Sequence, residues 1–124
     1  MPKFGTTSLK RLESCHPKLQ EIMNEAIKQM DFSVLEGHRN EEDQNKYFAE
    51  GKSKVAFPDG KHNDFPSRAV DIAPYPIDWK DRDRQHLLAG RVLAIAEMKG
   101  IKIRWGGFFK NFYDSPHFEL VKDD

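Results

Sequence analysis

A single acidic residue inside an apolar segment restricts what this chain can fold into. Residues 69–73 read Ala-Val-Asp-Ile-Ala, a pattern typical of a short β-strand, and the strand ends at the corner Pro74-Tyr75-Pro76. Asp71 is therefore expected in a strand whose neighbouring side chains favour burial. A buried carboxylate is costly unless a cation or a metal ion lies against it. The fold must bring such a partner to Asp71.

Three segments have the pattern of helices. Apolar residues recur three and four apart over residues 17–30, and Asn40 is placed to cap a second helix that runs to about residue 50. A third helix is expected from a cap at Asp78 to Gly100. Its predicted core-facing stripe consists of Leu87, Leu88, the Arg91 stem, Ile95 and Met98.

Strand patterns are short and lie between the helices. They cover residues 32–35, 69–73, 101–105 and 117–121, whereas residues 52–68 are rich in turn formers and have no periodicity. This order favours an α+β fold with a small, mostly antiparallel sheet and about three helices. With 124 residues, we expect a single domain over residues 1–124, most simply a monomer.

Composition excludes several classes of function. Lys plus Arg and Asp plus Glu each number 20, so no basic excess indicates binding to nucleic acid. No apolar run is long enough for membrane insertion, and the first residues lack the apolar centre of a signal peptide. The one cysteine, Cys15, rules out an intramolecular disulfide and a cysteine-rich metal site, and fits an inert thiol near a helix end.

His62, Asp71 and His117 form a candidate metal site. A catalytic zinc site uses three protein ligands, and without a cysteine set these must be nitrogen or oxygen donors. His62 lies in the turn-rich loop and His117 begins the last strand. Spacing alone leaves alternatives open, because single histidines are usually surface residues and Asp71 could instead pair with Arg68 or Arg104.

Two motifs resemble those of a known family. They are His-Asn-Asp-Phe-Pro-Ser-Arg-Ala-Val-Asp-Ile-Ala-Pro-Tyr-Pro, residues 62–76, and Asp-Ser-Pro-His-Phe-Glu-Leu, residues 114–120. The chain resembles zinc peptidases that include D-alanyl-D-alanine carboxypeptidases and dipeptidases, and most strongly the L-alanyl-D-glutamate peptidase endolysins of phages. The resemblance extends over about residues 34–120 and includes Gly37-His-Arg39 and Glu42-Asp-Gln44.

The resemblance implies roles for individual residues. His62, Asp71 and His117 correspond to the zinc ligands, and Asp114 corresponds to the catalytic base. Arg39 corresponds to an arginine that anchors the substrate carboxylate or stabilises the oxyanion. Further positions are less directly implied: Gln44 and Ser53 as substrate-binding residues of the cleft, and Glu119 as an alternative base or as a partner that orients a histidine.

The chain also departs from the family pattern. Asp71 follows His62 by nine residues where many members have seven, so the loop through Pro66 and Ser67 must bulge. Gly60 stands where many relatives have a serine, and Phe108 where members often have an acid.

The function implied by the resemblance is hydrolysis of the L-alanyl-D-glutamate bond of bacterial peptidoglycan by a zinc-activated water. The alternatives are a D-alanyl-D-alanine carboxypeptidase or dipeptidase, and a cell-wall-binding zinc domain without catalysis. A phage endolysin without a signal peptide is expected to stay in the host cytoplasm until a separate membrane-permeabilising protein releases it to the cell wall.

Overall fold

This computed structural model describes residues 2–121, which contain four helices and four short strands. The helices are α1 (Thr6–Glu13), α2 (Pro17–Ala26), α3 (Glu41–Ala49) and α4 (Arg82–Met98). The strands are β1 (Phe32–Glu36), β2 (Ala69–Pro74), β3 (Ile103–Trp105) and β4 (His117–Leu120). Two 3-10 turns, Lys61–Asn63 and Gly106–Phe108, lie in the longer connections.

The strands form one sheet in the order β1-β2-β4-β3, and every neighbouring pair is antiparallel. The predicted α+β class and antiparallel sheet are therefore confirmed. Helices α1, α2 and α4 pack with the sheet around one apolar core. Large, fully buried members of this core are Leu19, Ile22, Met23, Val34, Val70, Ile72, Leu88, Val92 and Phe118.

Helix α1 is an additional helix that the sequence pattern did not predict, so the expected number of about three is corrected to four. This helix has only two large apolar residues, Leu9 and Leu12, and only Leu12 is buried. Its polar side chains bind the outer edge of β1 instead. Ser8 Oγ accepts a hydrogen bond from the Val34 amide at 3.0 Å, and Arg11 Nη1 donates to the Val34 carbonyl at 3.1 Å. Helix α1 thus covers backbone groups that an edge strand would leave unpaired.

The predicted cap of α3 is confirmed, whereas that of α4 is wrong. Asn40 Oδ1 accepts a hydrogen bond from the Asp43 amide at 2.8 Å. Helix α4 begins at Arg82 with Asp81 as its cap, because the Asp78 side chain binds the Lys80 amide in the preceding turn.

The buried stripe of α4 agrees only in part with the one predicted, because Leu88 and Ile95 are buried but Leu87 and Met98 are not. Leu87 and Met98 are exposed by 51% and 86%, and the positions that face the core are Gln85, Leu88, Ala89, Val92, Ile95 and Ala96. Gly100 follows the helix with φ of +69°, a conformation that favours glycine. Among residues 2–121, no helix has both the length and the apolar character needed to cross a bilayer.

Alternation along the central strands separates an apolar face from a polar one. On β2, Val70 and Ile72 belong to the core, so Asp71 projects from the opposite face. On β4, Phe118 and Leu120 belong to the core, and His117 and Glu119 alternate with them. The polar face of the sheet is therefore the floor of a site.

Candidate active site

The register of β2 and β4 brings Asp71 and His117 together. The two residues are direct cross-strand partners, and Asp71 Oδ1 lies 3.2 Å from His117 Nδ1. His62 reaches the same carboxylate from the 3-10 turn within the turn-rich segment 52–68. Its Nε2 is also 3.2 Å from Asp71 Oδ1. The sequence-predicted trio is thus assembled from two strands and one loop.

Each histidine is anchored through its second ring nitrogen. His62 Nδ1 donates to the Gly37 carbonyl at 2.7 Å, and His117 Nε2 donates to Glu119 Oε1 at 2.8 Å. A carbonyl can only accept a hydrogen bond, so Nδ1 of His62 carries a proton and Nε2 can offer a lone pair. Gly37 fits at this position because it lacks a side chain, since a Cβ there would collide with the Arg11 carbonyl.

The donor set fits a metal ion. One ligand atom from each of His62, Asp71 and His117 lies within 4.8 Å of the others. Two imidazoles and one carboxylate are a typical catalytic ligand set, and metal-bound histidines usually donate their other N–H to a carbonyl or carboxylate. Both features are present here. The three residues can therefore hold a metal ion.

The charges of the trio are strongly coupled. Burial raises the pKa of Asp71, but the two histidines outweigh it and hold the pKa well below its usual range. Burial lowers the pKa of His117, but hydrogen bonds to Asp71 and Glu119 outweigh it and raise the pKa to about 10. A metal ion and a proton compete for Nδ1 of His117, so metal binding must displace that proton.

Neither Arg68 nor Arg104, the two arginines considered from sequence, pairs with Asp71. Arg68 Nη2 donates to the Val121 carbonyl at 3.3 Å, and Arg104 Nη1 lies 3.8 Å from Glu119 Oε2. The nearest arginine is Arg39, whose Nη2 is 3.9 Å from Asp71 Oδ2. The carboxylate thus faces two histidines and only the edge of a guanidinium.

The two candidate bases, Asp114 and Glu119, occupy different surroundings. Within residues 2–121, the Asp114 carboxylate makes no hydrogen bond, and its Oδ2 lies 4.0 Å from His117 Nδ1, on the side that faces Asp71. Burial and the negative charge of Asp71 raise the pKa of Asp114. The Glu119 carboxylate is instead engaged by Nε2 of His117 on the far side of that ring. Although burial raises the pKa of Glu119, His117 outweighs it and lowers the pKa.

Arg39 is held in one position by several neighbours. Its Nε and Nη2 donate to the two carboxylate oxygens of Glu36 at 2.9 and 2.6 Å, and its Nη1 donates to Gln44 Oε1 at 2.9 Å. The Tyr47 ring lies 4.6 Å from its guanidinium carbon. Burial lowers the pKa of Arg39, but Glu36 outweighs it, so the guanidinium stays charged.

The predicted substrate-binding residues Gln44 and Ser53 line the cleft but contact each other. The buried Gln44 amide donates to Ser53 Oγ at 2.9 Å and to the Val55 carbonyl at 2.6 Å. Its oxygen also accepts a hydrogen bond from Asn63 Nδ2 at 3.2 Å. Gly60 packs so tightly here that a Cβ would come within 2.7 Å of Asn63 Oδ1, so a serine would not fit without a shift.

The cleft over this floor has a volume of about 550 Å³. One wall contains Phe109 and Phe112, whereas Phe108 points outward and is 72% exposed. The rim of the cleft also carries Lys52, Lys54 and Lys61, and Lys54 Nζ lies 5.5 Å from the centre of the Phe112 ring. The cleft is therefore acidic at the floor and basic at one rim.

Sequence reasoning missed Glu36, Tyr47 and Asn63. Glu36 belongs to a segment in which alternation puts Phe32 and Val34 in the core, so nothing indicated that it faces the cleft. Tyr47 has a clearer signal, because it lies three residues after Gln44 on the same helical face. Asn63 adjoins His62 within the first motif, but that motif gives no hint of its buried contacts.

Comparisons with known proteins identify the family of this chain. The model of the phage L-alanyl-D-glutamate peptidase family matches residues 1–121. The crystal structure of the Serratia marcescens L-Ala D-Glu endopeptidase ChiX is similar, with a TM-score of 0.82 and 30% sequence identity. That similarity covers 96% of this chain and 90% of ChiX. Both the full-length match and the shared fold lead to one conclusion: the chain belongs to the phage L-alanyl-D-glutamate peptidase family, whose members are hydrolases of peptidoglycan.

Proposed function

We propose that this L-alanyl-D-glutamate peptidase depends on zinc held by His62, Asp71 and His117. The observation that carries the proposal is the convergence of two anchored histidines on one carboxylate oxygen, each at 3.2 Å. Two imidazoles with one carboxylate suit zinc better than magnesium or calcium, which prefer oxygen ligands. When bound, zinc polarises the scissile carbonyl and lowers the pKa of water toward neutrality.

Asp114 is proposed as the general base. Its side chain lines the cleft, is about a third exposed, and has no hydrogen-bonded partner within residues 2–121 that would occupy its oxygens. Its raised pKa brings the carboxylate nearer to the range in which it can take and return a proton. Asp114 would accept a proton from the attacking water and deliver it to the leaving amine.

Glu119 and Arg39 support the reaction in different ways. Glu119 fixes the ring orientation of His117 through Nε2, which makes it a positioning residue and a poor base. Arg39 offers a fixed positive charge beside the ligand carboxylate, suited to stabilising the oxyanion. Because Glu36 already binds two of its nitrogens, capture of a substrate carboxylate by Arg39 is less favoured.

The substrate is proposed to bind along the cleft with its acidic groups toward the lysine rim. A D-glutamyl residue has two carboxyl groups, and a peptide that continues through one leaves the other charged. Lys54 and Lys61 line the cleft and can offset that charge. Gln44 and Ser53 would contribute chiefly by holding the wall, since their polar atoms bind each other.

Mass analysis of fragments released from purified peptidoglycan tests the activity and the bond cleaved. New amino ends on D-glutamate are the expected product. Released D-alanine would instead indicate a carboxypeptidase, and intact peptidoglycan would indicate a wall-binding domain. Activity should disappear with a chelator and return with zinc, and a fully active enzyme that contains no metal would contradict the zinc site.

We also propose that the protein acts as a monomer after release from the host cytoplasm by a separate membrane-permeabilising protein. Membership of a phage family supports this route. Expression in bacteria alone should leave cells intact, and subsequent permeabilisation of the inner membrane should cause lysis. Lysis without permeabilisation would contradict the route, and a dimer in sedimentation experiments would contradict the monomer.

A further inference from the structure

A β-bulge brings Glu36 to the active-site face. Val34 pairs with Ile72, but Glu36 pairs with Asp71, so β1 uses two residues where β2 uses one. Regular alternation would place Glu36 on the same face as Val34, toward the core. The bulge reverses this and aligns Glu36, Asp71 and His117 in one row across three adjacent strands.

In this row Arg39 lies between two carboxylates and binds one of them. Its Nη2 is 2.6 Å from Glu36 Oε2 but 3.9 Å from Asp71 Oδ2. The Tyr47 ring covers the guanidinium, and Gln44 holds Nη1, so movement out of this plane is restricted. The nearest alternative for the guanidinium is to close this 3.9 Å separation and form a hydrogen-bonded ion pair with Asp71.

We propose that Glu36 is a positioning residue that keeps Arg39 away from Asp71 and so preserves the Asp71 carboxylate for the metal. An Arg39–Asp71 ion pair would occupy the oxygen lone pairs that a metal ligand must offer, in a setting where charge-assisted hydrogen bonds are strong. Glu36 provides the competing carboxylate at shorter distance and with two-point geometry. The inference rests on the zinc site proposed above.

A double-mutant cycle on zinc affinity tests this role. The variants are Glu36→Gln, Arg39→Met and the double variant, and the measurement is competition for zinc with a chromophoric chelator. Glu36→Gln should weaken zinc binding by about tenfold, as for other residues that orient metal ligands. In the Arg39→Met background the same substitution should change affinity less than about threefold, because no guanidinium remains to compete.

Comparing the effect of Glu36→Gln with and without Arg39 distinguishes two causes of weaker zinc binding: competition by Arg39 for Asp71, and loss of a negative charge near the metal. If loss of the Glu36 charge weakens zinc binding equally in both backgrounds, or in neither, the inference is overturned. A wild-type chain that binds no zinc overturns the site itself, which is a different result from an additive cycle.

Two further variants control for charge and folding. Glu50→Gln removes an exposed acid that pairs with Lys52 at 3.2 Å and does not contact the metal ligands, so zinc affinity should be unchanged. Glu36→Asp keeps the charge and should retain more affinity than Glu36→Gln. Circular dichroism of the metal-free variants must match the wild type. If Glu36→Gln unfolds, Glu36→Ser takes its place in both Arg39 backgrounds: a loss confined to the Arg39 background supports the inference, and an equal loss or none overturns it.

Discussion

The two faces of the central sheet use the same backbone alternation for opposite purposes. On β4, Phe118 is a fully buried core residue, and its neighbour His117 points to the cleft. On β2, Ile72 and Asp71 divide in the same way. The apolar face stabilises the fold through burial, whereas the polar face retains groups that cost folding energy unless each has a partner. Adjacent residues should therefore fail in different ways when they are changed.

The largest effect on activity is expected for His117→Ala. Loss of this proposed ligand should lower kcat/KM by at least about 1000-fold, because metal-dependent stabilisation of a transition state amounts to several kcal/mol. The unfolding midpoint of the metal-free protein should change little by comparison. Activity assays with zinc quantification and thermal unfolding check both parts. Activity above about a tenth of wild type would contradict the assignment of His117 as a ligand.

The neighbouring substitution, Phe118→Ala, should show the opposite result. Removing a buried aromatic side chain typically costs about 3–5 kcal/mol of unfolding free energy. Chemical denaturation measures this loss. The molecules that remain folded should bind zinc with nearly unchanged affinity, because Phe118 does not face the ligands. A stability loss below about 1 kcal/mol would mean that the core does not depend on this face of β4.

Within the polar face, Asp114→Asn separates the proposed general base from the proposed metal ligands. We expect kcat to fall by about 100-fold or more, the usual contribution of a general base, with zinc still bound. Steady-state kinetics on a defined L-alanyl-D-glutamyl peptide, together with metal analysis, provides the test. Normal turnover with bound zinc would exclude Asp114 as the base and favour Glu119.

Glu119→Gln should have a smaller effect and act through the metal. Its carboxylate orients His117, so we expect zinc affinity to fall by about tenfold, with kcat largely restored at saturating zinc. Activity measured against free zinc concentration distinguishes this from a role in catalysis. A large loss of kcat that excess zinc does not restore would contradict the positioning role.

The smallest effect on activity is expected when Cys15, an ionisable residue of the apolar core, is exposed to a thiol reagent. Burial, aided by the charge of Asp71, raises the pKa of the thiol from 9.0 to about 12. A thiol reagent at pH 8 should label the native protein far more slowly than the urea-unfolded chain, without loss of activity. Because the pKa of the Cys15 thiol is raised in the folded protein, the contribution of the neutral thiol to the free energy of unfolding is fully present below pH 9. That contribution is lost as pH rises toward 12. Rapid native labelling would contradict the burial of this thiol.

The strands could be predicted because their signals are local, and the convergence of His62, Asp71 and His117 could be predicted because two ordered motifs resemble those of the family. Asp71 between Val70 and Ile72 is anomalous in sequence alone, and a cap such as Asn40 acts on backbone only three residues away. The boundaries of α2 and α4 were less predictable, since competing turns and caps decide them. Helix α1 escaped prediction because its main contacts are polar bonds to β1 rather than an apolar stripe.

The sequence by itself determined the fold class, the separation of apolar from polar positions on β2 and β4, and the identity of the three candidate ligands. Alternation, caps and ordered motifs suffice for these because each depends on residues close in the chain or on donor chemistry. Only the tertiary structure decided that Gln44 binds Ser53, that the Glu119 carboxylate is engaged by His117, and that Glu36 enters the cleft. The first two depend on which polar groups packing brings together. The position of Glu36 depends on strand register, because a single bulged residue reverses the face to which a side chain points.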